Sequence, residues 1–544
     1  MEDIFWSDQI ANLIINRNRY NYLNKDYKIP KTITIKSSTS ISGLPHIGNA
    51  SDIIRHDAIV RSLREKKQKV NFIWVAEDMD PWRKVPANLP KEYSKYLGMP
   101  VSSLPSPDGS NKSYVDYFVD LFMESLKKEY GTSPKVTSTT KEYKEGTFYK
   151  YIKKCLENLD EIKEILEKYR KDKLSEDYSL WKPVCEKCGK IITTVVTDIN
   201  GEGVYYECKD YDFKEYGKEA YNKIRGCGYK GFSNIKKDSG KLLWVAEWAS
   251  EWAAWNVVFE GAGKEHFMPT GSFWRAGEIC ERILGWPEPY PGNNQIQPYE
   301  YITVDNEKMS ASKGNVVATW EWSKFALPET LRLLFLKRPR KTRDFKYQEI
   351  FHLVDEFDEL EKIYFDITKL SNKKDEIDSK RLFEMSCISK PKKYTYPTSF
   401  TLLANLSQIY KSFDQISKVL KSIGHEVKNM SINKKRFEMA KFWVEKYGPD
   451  FMRFKVNEKP DKSKLNKKQV ESLKLLKEKL KLKDYNPDEL LKELYNIPKQ
   501  ISLSNNEFFK GVYLALISKE RGPKLSNLIL AIGKNKIISI LEKI

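Results

Sequence analysis

Thr32-Ile33-Thr34-Ile35, then Ser42-Gly43-Leu44-Pro45-His46-Ile47-Gly48-Asn49, then the run from Ala50 to Arg64, decide how this chain folds. The first four residues are strand-like. Ala50 to Arg64 sets Ile53, Ile54, Ile59, Val60 and Leu63 on or near one stripe and predicts a helix. Phe72-Ile73-Trp74-Val75 is a short apolar run between charged segments, a candidate buried strand. Strand, helix and strand in that order predict a parallel sheet with ligands at the carboxyl ends of its strands, where His46 stands.

A second segment, Lys308-Met309-Ser310-Ala311-Ser312-Lys313, ends in Gly314-Asn315 and predicts a lysine-serine loop. Taken singly, His46 reads equally as a core or surface histidine or as a ligand contact, and the lysine loop reads more readily as a solvated one. As an ordered pair they resemble the two ATP-gripping loops of class I aminoacyl-tRNA synthetases. The chemistry suits the residues. Activating a carboxylate with ATP demands orientation of the phosphates and stabilisation of their charge. A helix N-terminus after a strand offers unpaired N–H groups and a positive dipole end. Gly48 admits close approach of a nucleotide, His46 can donate to a phosphate oxygen, and Asn49 can donate without charge. Lys308 and Lys313 supply positive charge for the leaving pyrophosphate, with Ser310 and Ser312 as further donors.

The chain has 544 residues and a net charge of +19, enough length for several domains and an excess that favours a polyanionic partner, nucleic acid first. A lysine-rich genome is the plain alternative source of that excess. No run approaches a membrane span, the start lacks a leader-like stretch, and seven cysteines, an odd number, point to a reducing, cytoplasmic setting. Four segments are expected: 1–110, the first half of a Rossmann-type catalytic domain; 111–240, a helical insertion with a cysteine module at 181–232; 241–345, the sheet-like second half with the lysine loop; and 346–544, a helical region. Tyr114 to Arg170 reads as mostly helical. Val470, Leu473, Leu476 and Leu480 mark a helical stripe, and Asn486-Pro487-Asp488-Glu489 is a helix start. Leu370 to Ser399, polar and holding Pro391 and Pro397, is the best linker candidate.

Nearly end to end, the chain resembles the class I lysyl-tRNA synthetases. Ser42–Asn49 is similar to that family's SG-x-x-HxGN element. Arg83-Lys84-Val85-Pro86 and Tyr96-Leu97-Gly98-Met99-Pro100 resemble its RKVP and YLGMP stretches, and Gly263-Lys264-Glu265-His266 its GKDH. Tyr299-Glu300 with Lys308–Asn315 resembles its YE…KMSxSKGN. In the C-terminal half, Asp355-Glu356-Phe357-Asp358, Trp443-Val444-Glu445-Lys446-Tyr447 and Leu516 to Pro523 continue the likeness. The resemblance implies an α/β Rossmann-type catalytic domain with a zinc-ribbon-like insertion and an all-α anticodon-binding region. It implies ATP-dependent conversion of L-lysine to lysyl-adenylate, with Mg²⁺ accompanying the ATP, and transfer to tRNA(Lys). It places Glu265 on the adenylate ribose, His266 at the lysine site, and Gly48, Met309, Ser310 and Ser312 on ATP.

A lysine pocket needs a carboxylate for the ε-ammonium, because a buried unpaired cation is very costly. Glu77, Asp78, Asp80 and Glu247 are the candidates. Trp248 and Trp252, one helical turn apart, are candidate walls or ordinary core tryptophans. Ser38, Ser40 and Ser42 lie near the same pocket, Ser38 and Ser40 in place of the family's Gly and Thr. Gly271-Ser272-Phe273-Trp274 replaces the family's SSYD, removing a tyrosine hydroxyl and a carboxylate. That departure motivates two rival readings: a synthetase for another amino acid, and a non-catalytic tRNA-binding relative.

Cys185-x2-Cys188 followed by Cys208 and Cys227, with Gly189, Gly226 and Gly228 beside the thiols, predicts a structural Zn²⁺ site of four thiolates, the alternative being free thiols. A second metal cluster known in some members maps to Ser106, Ser110, Asn111 and Tyr117, which are poor zinc ligands, so no metal is expected there.

Overall fold

The computed structural model describes residues 5–41, 43–86, 89–170, 173–174, 178–213, 222–237, 239–289, 299–300, 302–309 and 316–544. They fall into two compact units. The first comprises Met1–Trp320, Arg332–Phe345 and Ser371–Ser389; the second comprises Glu321–Leu331, Lys346–Leu370 and Lys390–Ile544.

The first unit is built on a parallel four-stranded sheet in the order Val257–Phe259, Thr32–Thr39, Lys69–Ala76, Lys135–Ser138. Thr32–Thr39 and Lys69–Ala76 pair in unbroken register from Thr32 opposite Lys69 to Thr39 opposite Ala76. Ile33, Ile35, Trp74 and Val75 are buried. Apolar side chains on successive residues, Trp74 and Val75, are what a sheet covered on both faces requires. The helix Ile47–Glu65 follows the first strand and crosses back to the second, the expected βαβ unit. It is buried almost all round. Its polar residues are therefore paired: Ser62 with Ser7 at 2.9 Å, Asp57 with Arg332 at 2.8 Å, and His56, whose Nε2 accepts from the Gly261 N–H at 2.9 Å.

Tyr114–Arg170 is mainly helical, as expected, and also contributes the edge strand Lys135–Ser138, whose four residues are too few to show a period. Two expectations need correction. The segment from Leu242, expected to be sheet-like, carries the helices Trp244–Ala254 and Ser272–Ile279 around only short strands. Leu370–Ser399 is no simple linker. It contains the helix Lys373–Ser386, capped by Asn372, and that helix belongs to the first unit. Arg381 binds Asp8 and Glu65 at 2.9 and 2.6 Å, and the buried Arg332 donates to the Met385 carbonyl at 2.9 Å. Polar side chains that read as linker are thus ion-pair anchors.

The cysteine module is an antiparallel sheet of Thr194–Asn200, Gly203–Cys208 and Lys230–Asn234. Gly203 permits the close crossing, since a Cβ there would lie 2.0 Å from the Ser233 carbonyl oxygen.

The second unit is all-helical among its described residues. The expected stripe lies on helix Lys467–Leu482, with Leu473, Leu476 and Leu480 buried against Leu490, Leu494, Phe508 and Leu516. Asn486 caps Pro487–Gln500, accepting from the Asp488 and Glu489 N–H groups at 3.1 and 2.9 Å. A buried bidentate pair, Arg436 with Asp358 at 3.0 and 2.6 Å, joins two of its helices.

Candidate active site

A cavity of about 480 Å³ opens at the carboxyl ends of the first unit's strands, where a parallel sheet places its ligands. Ser38 and Ser40 line it from the end of the first strand, His46, Gly48 and Asn49 from the following turn and helix, and Lys308 and Met309 from the second segment. The two segments whose pairing marked the sequence therefore share one cleft. Ser310, Ser312 and Lys313 lie outside the described residues, as does Ser42.

The helix start is organised by its own sequence. The Gly48 N–H donates to His46 Nδ1 at 3.0 Å, and the His46 N–H donates to Asn49 Oδ1 at 3.0 Å, a reciprocal cap. The Ile47 N–H donates to the Val317 carbonyl at 2.8 Å, tying the helix start to the chain just beyond the lysine loop. Burial holds His46 well below the usual imidazole range, at about 4. With Nδ1 an acceptor, its hydrogen sits on Nε2, which has no partner among the described residues. His46 thus presents a neutral donor at the cavity wall.

Asp52 and Arg55 also line the cavity; they follow Gly48 at helical spacings of four and seven. The sequence reading missed both, although that periodicity exposes them. Asp52 accepts from Ser37 Oγ at 2.6 Å, and the Arg55 guanidinium lies 4.8 Å from the centre of the Tyr299 ring.

The opposite side of the cavity is acidic and aromatic. Glu77, Asp80, Glu260, Trp244, Trp248, Glu265 and His266 line it. Asp80 accepts from Lys241 at 2.7 Å; burial would raise its carboxyl, but Lys241 prevails and holds it below the usual range. Glu77 is buried, neither of its oxygens has a hydrogen-bond partner among the described residues, and burial and the neighbouring Glu251 push it well above the carboxylate range. Glu260, absent from the sequence reading, accepts from the indole N–H groups of Trp248 and Trp252 at 3.0 and 2.6 Å. Nothing local in the sequence sets Glu260 apart, since its partners come from other elements.

Three sequence candidates stand off the cavity. Asp78 accepts from Thr139 Oγ1 at 3.0 Å and the Thr140 N–H at 2.7 Å, fixing the start of the helix Thr139–Lys144. Glu247 pairs with Lys241 at 2.7 Å and accepts from Tyr143 at 2.7 Å. Trp252 is fully buried behind Trp248. Phe273, one of the two aromatic departures, packs within 5.0–5.3 Å of both tryptophan rings and also lies outside the lining. His266 Nδ1 lies 2.8 Å from Ser272 Oγ.

In the cysteine module all four sulfurs lie within 4.8 Å of one another, Cys185 to Cys227 at 3.6 Å and Cys188 to Cys208 at 3.7 Å. Tetrahedral ligation with bonds of about 2.3 Å sets sulfurs roughly 3.8 Å apart, so the thiols fit a zinc ion. The β ladder closes the long interval: the Cys208 N–H donates to Tyr229 O at 2.8 Å and the Gly228 N–H to Cys208 O at 3.0 Å. At the other mapped cluster, Asp108 organises the loop, accepting from Ser106 Oγ and the Ser110 N–H at 2.5 and 2.9 Å.

A parallel sheet with a capped histidine–glycine turn and a lysine-bearing segment in one cleft is the architecture of the class I aminoacyl-tRNA synthetases. The chain belongs to the family described as tRNA synthetases class I (K), whose profile matches residues 4–389. It is 32% identical to a lysine–tRNA ligase of Thermococcus kodakarensis, covering 99% of each chain. It is 30% identical to one of Methanosphaera stadtmanae and 31% identical to one of Methanocaldococcus jannaschii, covering 98% of each chain in both cases. Among solved structures it is similar to a glutamate tRNA ligase from Elizabethkingia meningosepticum, at 15% identity and a TM-score of 0.42, covering 94% of this chain and 98% of that one. No helix among the described residues is long and apolar enough to cross a membrane.

Proposed function

We propose that this enzyme is a lysine–tRNA ligase: it activates L-lysine with ATP and transfers it to tRNA(Lys) in the cytoplasm. The observation that carries the reading is one cavity lined by His46, Gly48, Asn49 and Lys308 together with Glu77, Asp80 and Glu260. Lysine's carboxylate oxygen attacks the α-phosphorus of ATP, the bond to the β-phosphate's bridging oxygen breaks, and pyrophosphate leaves. A hydroxyl of the tRNA's terminal ribose then attacks the carbonyl carbon of the adenylate and AMP departs.

On the phosphate side, the Nε2–H of His46, the amide nitrogen of Asn49 and the N-terminus of helix Ile47–Glu65 meet the triphosphate. Lys308 supplies positive charge for the departing pyrophosphate and Met309 lines the cavity beside it; the sequence motif assigns Ser310, Ser312 and Lys313 to the same role. Glu265 takes the ribose. Mg²⁺, arriving with the ATP, would neutralise part of the phosphate charge. On the acidic side, Glu77 accepts the ε-ammonium, Trp248 covers the aliphatic stem, and Ser38, Ser40 and His266 complete the pocket. Cys185, Cys188, Cys208 and Cys227 would hold a structural Zn²⁺, which would staple the inserted module and take no part in the chemistry. The all-helical unit, in a chain of net charge +19, is the anticodon-binding part. Aminoacylation of a tRNA(Lys) transcript with radiolabelled lysine tests the reading. Charging that needs both ATP and lysine is the expected result; tRNA binding without charging would favour the non-catalytic alternative.

A further inference from the structure

Behind the acidic wall the protein keeps two ammonium groups of its own. Lys241 is held between Asp80 and Glu247, at 2.7 Å from each. Lys36 is fully buried on the strand Thr32–Thr39, 2.9 Å from Glu251 and 3.0 Å from Glu260, with Glu77 at 3.9 Å. Two cations therefore face five acids, four of them buried and Asp80 half-buried, and each takes two of them at close range. Glu77, at 3.9 Å, is left over by distance; Glu251 shares its lack of a hydrogen-bond donor among the described residues but lies 2.9 Å from the Lys36 ammonium. Glu77 and Glu260 reach the cavity, whereas Lys36 and Glu251 lie behind them. Lys36 also precedes Ser38 by two residues, so both stand on one face of the strand and the lysine lies directly under the lining.

We propose that Lys36 is a specificity-determining positioning residue: its ammonium fills the deeper of two cation sockets, leaving Glu77 as the acid of this cluster without a close cation, open to a substrate ammonium, and fixing the depth at which that ammonium binds. This deepens the lysine reading and rests on it. Without Lys36, Glu251 and Glu260 would be buried without a counter-charge, which proteins relieve by protonation or movement. Movement of Glu260 would release the indole N–H of Trp248, a wall of the amino-acid pocket. On the nucleotide side, His46 is hydrogen-bonded to Asn49 and to the Gly48 N–H, and among the described residues neither His46 nor Asn49 shares a hydrogen bond with this cluster.

The test is calorimetric titration of the full chain and of Lys36→Ala and Lys36→Met, with L-lysine and separately with a non-hydrolysable ATP analogue. Each is measured with and without propylammonium chloride, which replaces the deleted part of the side chain, and against sodium chloride of equal strength. Lys36→Ala should bind lysine at least about ten-fold more weakly, the loss expected for a charged hydrogen bond, while analogue affinity stays within about two-fold. Propylammonium should recover lysine binding in Lys36→Ala but not in Lys36→Met, whose side chain fills the space. Wild-type-like lysine binding by Lys36→Ala overturns the inference. So does equal weakening for lysine and the analogue without rescue, or failure of both variants to fold even with propylammonium. A wild-type chain that takes up no lysine sinks the lysine reading as well, and so tells the two failures apart.

Discussion

Gly48 and Met309, far apart in the chain, lie side by side: a methyl group on the glycine would stand 3.2 Å from Met309 Cε and 2.7 Å from His46 Cε1. The missing side chain lets the imidazole fold back onto its own helix start while the second segment approaches from the other side. Gly48→Ala should therefore leave stability within about 1 kcal/mol, because alanine is the better helix former. It should still weaken ATP use by displacing His46. His46→Ala should reduce kcat for adenylate formation by about 10²–10³-fold, the usual cost of a lost preorganised donor. Steady-state exchange kinetics beside thermal melts separate the two effects.

The acidic wall makes lysine binding pH-dependent. Burial holds Glu77 above the carboxylate range, and burial with Lys36 opposing it leaves Glu251 at about 7. In the empty site these acids carry protons below their raised values. An ammonium arriving at Glu77 favours its ionised form, so binding should release protons, and lysine affinity should climb as pH rises above the ordinary carboxylate range. Calorimetry in buffers of different ionisation enthalpy reads the release directly. Glu77→Gln should lower lysine affinity by about 10- to 100-fold and diminish the proton release.

Away from the cavity, burial raises Glu288 to about 8. Its protonated form contributes stability that is fully present below the ordinary carboxylate range and is lost as pH rises through about 8. Thermal stability should fall across that window by at most about 1.4 kcal/mol per pH unit from this group. Glu288→Gln should flatten the slope, and a variant with the wild-type slope would contradict this.

The cysteine module should carry one zinc per chain by native mass spectrometry. Cys208→Ser should lose it and expose the segment 181–242 to proteases, while lysine-dependent exchange with ATP changes less than the protease sensitivity. A metal-free module of undiminished protease resistance would return the four thiols to the free state.

The legible part of this molecule was the part with local grammar. The βαβ order, the cap at Asn486 and the stripe through Leu473, Leu476 and Leu480 follow from spacing alone. The edge strand Lys135–Ser138 escaped because four residues carry no period. The helix Lys373–Ser386 escaped because its charges pair with distant partners. In the cavity, His46 and Lys308 were visible as motif residues, and Asp52 and Arg55 could have been found on the helical face of Gly48. Glu260 and Lys36 could not, since their roles exist only once strand and helix bring five acids around two lysines.

The most direct measurement is ATP–pyrophosphate exchange with each of the twenty amino acids in turn. Lysine should support exchange well above every other amino acid, and His46→Ala should slow it by about 10²–10³-fold. Faster exchange with another amino acid, or none with any of them, would contradict the assignment of this cavity to lysine activation.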